Sequence, residues 1–177
     1  RNTGFAFFNH ALDKKLTWSV FVNKETSERP PDFRIDGDWN VTSRVTGLPY
    51  ISEDGKRWVH LGASWSYEKA TDNQVTFNGA RDTEITSTLL TTGAIAARKF
   101  NIIGLEGAVN LNQFGLQGEY VITDVNRDEN TNGQLDAFYI QGSWYLTGEN
   151  RRYFKRKGVV ARFKPNQNFS WNKKWSE

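Results

Sequence analysis

The chain has 177 residues with no Cys and no Met, and its net charge is only +3. Without Cys, neither disulfides nor thiolate metal sites can hold it together. So small a net charge singles out no partner by bulk electrostatics. No run of about 18 apolar residues occurs, so no helix can span a membrane; a strand could, needing apolar residues only at alternate positions. The mean hydropathy is −0.67, yet the chain carries 7 Trp, 6 Tyr and 12 Phe. Belts of rings at a membrane–water interface supply a reason for that number. The chain opens at Arg1 with no apolar leader, so the expectation is that a signal segment has been removed or that these residues are part of a longer chain.

Helical periodicity is nearly absent, and period-two segments rich in Val, Thr, Phe, Tyr and Trp dominate. Gly4 to Ala11 is the first predicted strand. In Leu16 to Asn23, Leu16, Trp18, Val20 and Val22 oppose Thr17, Ser19 and Asn23, with Phe21 breaking the alternation. In Trp39 to Leu48, Trp39, Val41 and Val45 oppose Asn40, Thr42, Arg44 and Thr46. Trp58 to Glu68 sets Val59, Leu61, Ala63, Trp65 and Tyr67 against His60, Gly62, Ser64, Ser66 and Glu68. Phe100 to Leu111 sets Ile103, Leu105, Val109 and Leu111 against Glu106 and Asn110. Phe114 to Thr123 sets Leu116, Tyr120 and Ile122 against Gln117, Glu119 and Thr123. Ala137 to Leu146 sets Phe138, Ile140, Trp144 and Leu146 against Tyr139, Gln141, Ser143 and Tyr145.

The connections are of two kinds. Asp13-Lys14 and Asn112-Gln113 are tight, whereas Lys24 to Asp38, Lys69 to Lys99 and Asp124 to Asp136 are long. Short turns at one end and long loops at the other mark an antiparallel up-and-down transmembrane β-barrel. Parity agrees, because an even number of strands separates the two tight turns. The β-like stretch Gln74 to Arg81 is therefore placed inside the long loop. No domain boundary or repeat is visible, so residues 1–177 read as part of one all-β barrel domain. Seven strands in an open sheet leave two unpaired edges, which are prohibitive in lipid. The expectation is a stretch of a larger barrel wall. Two soluble alternatives stand beside it: a small closed barrel with an apolar ligand, or a β-sandwich module using its Trp residues on sugars. Both turn the apolar face inward, whereas a membrane barrel turns it outward.

From His60 onward the residues resemble one family. His60-Leu61-Gly62-Ala63-Ser64, Gly104-Leu105-Glu106, Gly118-Glu119-Tyr120 and the run Gln141 to Arg151 occur in the order seen in phosphate-selective porins O and P, with Tyr153 and Lys164-Pro165 following. The run Gln141 to Arg151 is the most specific of these. The resemblance implies a sixteen-stranded, homotrimeric pore in the outer membrane of a Gram-negative-type bacterium. Such a pore passes small anions, phosphate among them, by passive diffusion, and about seven of its strands lie in this chain.

The polar faces carry Arg44, His60, Glu68, Glu106 and Glu119, which in a pore line the channel and either sort ions or pair across the wall. His10 and His60 have no close-spaced partners for a zinc site, and no Gly-x-Ser-x-Gly elbow exists. No enzyme is expected. Basic residues do not interleave with rings along one polar face, so no nucleic acid is expected either. No cofactor is required. Asp128-x-Asn130-x-Asn132-Gly133-Gln134-x-Asp136 matches the first half of a calcium loop, with Tyr139 where the final Glu belongs; the same residues also suit an Asn-Gly hairpin. Trp18, Trp39, Trp58, Trp65, Trp144, Trp171 and Trp175 read as an interfacial girdle rather than sugar platforms. Leu61, Trp65, Leu105, Val109, Leu116, Tyr120, Ile140 and Trp144 are expected to face lipid.

Thr147 to Pro165 breaks the length pattern. By parity it emerges at the short-turn end, yet it is long, with Arg151, Arg152, Lys155, Arg156, Lys157, Arg162 and Lys164 against Glu149 alone. Tyr153, Phe154, Val159, Val160 and Phe163 need a surface to pack on. One reading is a solvated periplasmic loop; the other, folding into the lumen, meets both demands, and on it Arg151, Arg152 and Arg156 are the leading candidates for attracting anions.

Overall fold

The structure, a computed structural model, describes residues 2–25, 39–69, 74–75, 78–79, 90–126 and 133–166. Its strands are β1 (Asn2–Ala11), β2 (Leu16–Glu25), β3 (Trp39–Ile51), β4 (Arg57–Lys69), β5 (Gln74–Val75), β6 (Asn78–Gly79), β7 (Leu90–Thr91), β8 (Ile95–Ala96), β9 (Lys99–Leu111), β10 (Phe114–Asn126), β11 (Gly133–Trp144), β12 (Tyr153–Phe154) and β13 (Val159–Val160). Seven of these are long and form one sheet in the order β1-β2-β3-β4-β9-β10-β11. Every pairing is antiparallel. The fold is all-β and up-and-down, with β1 and β11 as the edges of an open sheet. A 13-residue strand rises about 3.4 Å per residue; tilted about 40°, it spans about 34 Å, enough for a bilayer's hydrocarbon.

The strands run further than their apolar alternation predicts. β3 and β4 reach Ile51 and Lys69 and β11 starts at Gly133, although β11 stops at Trp144, two residues short of the expected Leu146. Polar residues such as Lys24, Asp124 and Gln134 continue the ladder, because backbone pairing continues whatever the side chain. Gln74 to Arg81 contains no spanning strand among its described residues: β5 pairs only with β8, and β6 only with β7.

The turns at 12–15, 52–56 and 112–113 all lie at one end of the sheet. Leu12, Asp13 and Lys14 take left-handed φ angles in succession, and Lys15 N donates to Leu12 O at 2.9 Å. Asn112 is also left-handed (φ 56°), a conformation Asn tolerates better than most residues. Asn110, fully buried, ties two turns together by donating from Nδ2 to Lys56 O at 2.7 Å and Asn112 O at 3.0 Å.

The two faces divide by chemistry. One carries exposed Leu61, Trp65, Leu105, Leu116, Tyr120, Ile140 (73% exposed) and Trp144, with Val109 half-buried among them. A soluble barrel or sandwich would bury this face, so its exposure is what a lipid-facing wall requires. The other face holds Asn23, Asn40, Thr17, Thr46, His60, Ser66 and Asn110, all buried. Near the long-loop end of that polar face, Ala97, Phe100 and Val125 form a small apolar cluster, with Ile95 and Ile102 against it.

Candidate functional site

Mid-strand positions of the polar face carry a linked set of charged side chains. Arg44 is sixth of β3's thirteen residues and Glu106 eighth of β9's. The two strands are not neighbours; β4 lies between them. Arg44 Nη2 is nevertheless 2.6 Å from Glu106 Oε1, and Arg44 Nε donates to the same oxygen at 2.8 Å. Gly62 makes the crossing possible. It stands opposite both Thr46 and Glu106 in the ladders, and a Cβ there would occupy the space of the Glu106 carboxyl.

His60, only 3% exposed, stands beside this pair. Its Nε2 is 3.5 Å from Glu106 Oε1 and its Nδ1 is 2.7 Å from the Tyr153 hydroxyl. The imidazole thus bridges the Glu106 carboxylate and the Tyr153 hydroxyl, one neighbour at each ring nitrogen. Burial pushes the Tyr153 phenol above its ordinary pKa, against Thr46 and Arg44, which pull it down. It therefore remains a donor at neutral pH.

Residues 147–166 fold back along this polar face as a strap. Its centre is the β12–β13 hairpin, in which Tyr153 faces Val160 and Phe154 faces Val159. The hairpin turn is closed by Lys157 N and Gly158 N donating to Phe154 O, each at 3.0 Å. Four contacts hold the strap to the wall. The Trp58 indole donates to Arg151 O at 2.9 Å, with its ring centroid 5.3 Å from that of Tyr153. His60 meets Tyr153. Arg44 Nη2 donates to Gly158 O at 3.1 Å. Arg151 Nη1 donates to Gln117 Oε1 at 2.6 Å. Gly158, with φ +63°, rests directly on Thr17 and Thr46, whose hydroxyls are 2.6 Å apart; no Cβ fits there.

The strap's only acid closes its two ends. The Glu149 carboxylate accepts from the Thr147 hydroxyl and, at 3.1 Å, from Asn166 N–H. These two bonds hold its carboxyl below the usual carboxylate range. Glu149 is thus covered by its own neighbours in the strap. Tyr145 stacks on Phe163 beside it, centroids 4.6 Å apart and planes 6° from parallel. Seven cations against this one acid give the strap a net +6 (7 − 1). Of the seven, Arg151 is half-buried; Arg152, Lys155, Arg156, Lys157, Arg162 and Lys164 are exposed.

The structure brings Arg44, His60 and Glu106 together. Glu119 is half-buried on β10 directly opposite Glu106, and no ion pair to it occurs among the described residues. Glu68 lies towards the long-loop end and accepts from Ser66 Oγ at 3.0 Å. Sequence reasoning missed Thr17, Thr46, Gln117 and Gly158. Of the girdle candidates, Trp18, Trp39, Trp65 and Trp144 are exposed on the apolar face, while Trp171 and Trp175 lie outside the described residues. Trp58 corrects the expectation. It is 2% exposed, on the polar face, and serves as a platform for the strap.

Asp128, Asn130 and Asn132 of the candidate calcium loop lie outside the described residues. Gln134 and Asp136 are strand rather than loop residues, opposite Asp124 and Ile122, because β11 begins at Gly133. Asp136 accepts from the Tyr120 hydroxyl at 3.3 Å on the apolar face. Among the described residues no group of three His, Asp or Glu is placed to hold a metal.

The model of the family described as phosphate-selective porin O and P matches residues 9–170. No curated protein matches the chain.

Proposed function

The chain belongs to the phosphate-selective porin O and P family and is an outer-membrane porin; from that premise we propose that its channel prefers small anions, phosphate or other oxyanions among them, and that it works as a homotrimer in a Gram-negative-type bacterium. One observation supports the preference above the others. A segment of net charge +6 lies along the polar face, its hairpin turn against mid-strand Arg44 and its exposed cations running from there to the short-turn end. Cations fixed in a narrow, water-filled passage with low-dielectric walls concentrate anions and lower their entry barrier.

Arg44 has a different role. Glu106 neutralises it, so it anchors the strap and adds little to the field. Attraction falls to Arg151, Arg152 and Arg156, with the neighbouring lysines. Arg is suited to this because its planar fork can meet an oxyanion through two hydrogen bonds. The strands at the edges of the sheet are completed by further strands of the barrel wall, since open edges in lipid cost several kcal/mol per unsatisfied group.

The test is reversal-potential measurement on the full-length protein in a planar bilayer under a potassium chloride gradient. The triple variant Arg151→Gln, Arg152→Gln, Arg156→Gln should shift the potential towards cation preference and weaken saturation by phosphate. Unchanged selectivity would place the field elsewhere in the pore and sink the role given to the strap.

A further inference from the structure

Between the strap and the first two strands lies a cavity of about 580 Å³ whose lining does not suit phosphate alone. Phe8 of β1 and Phe154 of β12 both line it, and they are 77% and 51% exposed. Thr17, Ser19 and Arg44 contribute from the wall, and Arg156 and Lys157 from the hairpin turn. Phe8 stands opposite Ser19 in the ladder and so shares the polar face with Thr17 and Arg44. Lys157 Nζ lies 5.7 Å from the Phe154 ring centroid. Neither Arg156 nor Lys157 has a carboxylate partner among the described residues.

The exposed rings of Phe8 and Phe154, with Trp18 also in the lining, beside Arg156 and Lys157, two cations without a carboxylate partner among the described residues, form an amphipathic niche. A hydrated phosphate would use the cations and gain nothing from the rings. A small planar anion would use both, its carboxylate on Arg156 or Lys157 and its apolar body on Phe8 and Phe154. The volume is in the range of ordinary small-molecule sites, and the pattern of apolar floor with few charged groups is the usual one.

We propose that this niche is a binding site for aromatic carboxylates, and that the pore passes such organic anions as well as inorganic ones. The proposal rests on the porin reading for passage, but not for binding. Arg44 is held by Glu106 and Gly158 and shapes the niche rather than the charge of its ligand.

The experiment has two arms on the full-length protein. In detergent, 4-fluorobenzoate binding is followed by fluorine NMR, with acetate and inorganic phosphate as competitors. In bilayers, block of chloride current by benzoate is compared with block by acetate. Contact of one ring face with Phe8 and Phe154 should make benzoate about tenfold more effective than acetate in both arms. Phe154→Ala and, independently, Phe8→Ser should remove that preference and leave inhibition by phosphate as it was. Equal potency of benzoate and acetate in the wild-type protein, or a preference that survives both substitutions, would overturn the proposal. Binding without any chloride conductance would leave the site standing and refute the channel.

Discussion

Replacing Gly158 by Ala tests how the strap is held. Gly158 sits at φ +63° with no room for a Cβ between the hydroxyls of Thr17 and Thr46. An L-residue at that φ costs about 1–2 kcal/mol. The collision cannot be relieved sideways, because both threonines are buried and hydrogen-bonded to each other at 2.6 Å. The hairpin must lift, which breaks the bond from Arg44 to Gly158 O, a charge-assisted contact worth about 1.5–3 kcal/mol. The docked state should therefore lose about 2.5–5 kcal/mol, a shift of roughly two to nearly four powers of ten in the docked-to-lifted ratio. Single-channel conductance and selectivity should both change, while far-ultraviolet circular dichroism keeps its β signal. Adding Thr17→Ala and Thr46→Ala removes the obstructing hydroxyls and should restore docking in part, leaving only the φ cost. A Gly158→Ala channel indistinguishable from wild type, at equal folded yield, would refute the idea that the strap rests on these threonines.

Other outcomes follow from the same contacts. Leu105→Arg or Ile140→Arg should destabilise the protein in vesicles by about 2–4 kcal/mol, measured by urea titration; neutrality at both positions would argue against a lipid-facing wall. Trp58→Phe keeps the ring but loses the donor to Arg151 O, and should increase tryptic cleavage at Arg151 and Arg152. Equal cleavage rates would mean that this indole does not fasten the strap. The Glu149 carboxyl has a depressed pKa, so its contribution to the closed strap is complete above the ordinary carboxylate value and is lost as pH falls through the lowered one. Acid titration of the near-ultraviolet signal should thus show the strap persisting below the usual carboxylate range, whereas Glu149→Gln should remove that acid transition.

Strand positions were legible because a lipid-facing wall writes its alternation directly into the chain. Leu61, Leu105, Leu116 and Ile140 are exposed on one face without relying on any particular partner, so their apolar character alone identifies their side. Strand ends were less legible. Near the interface, Lys24, Asp124 and Gln134 pair through their backbones while their side chains reach water, and the hydrophobic pattern fades before the ladder does. Trp58 was misplaced for a related reason. An indole at a strand start suits an interfacial belt, but its register beside His60 and under Tyr153 turns it inward. Even-numbered parity along β4 already put Trp58 on the side of His60 and Gly62, and that signal outranks the residue's usual habitat.

The polar face resisted reading for a deeper reason. Arg44, Arg151 and Arg156 are the same residue type in the same passage, yet they end in three electrical states. Arg44 is cancelled by a carboxylate two strands away, Arg151 is tied to a neutral amide, and Arg156 has no carboxylate partner among the described residues. The first state depends on Gly62, since a Cβ there would displace the Glu106 carboxyl from Arg44's reach. A glycine on β4 thereby decides whether an arginine on β3 is an anchor or an attractor. Gly62→Ala should consequently release Glu106 from Arg44 and loosen Gly158 O together. The freed Glu106 would add a negative charge to the passage while the freed Arg44 adds a positive one, so the net field changes little. Strap anchoring, read as protection of Arg151 and Arg152 from trypsin, should fall much more than anion selectivity. If Gly62→Ala leaves that protection intact, Glu106 is not what positions Arg44, and the strap is held by Trp58, Tyr153 and Gln117 alone.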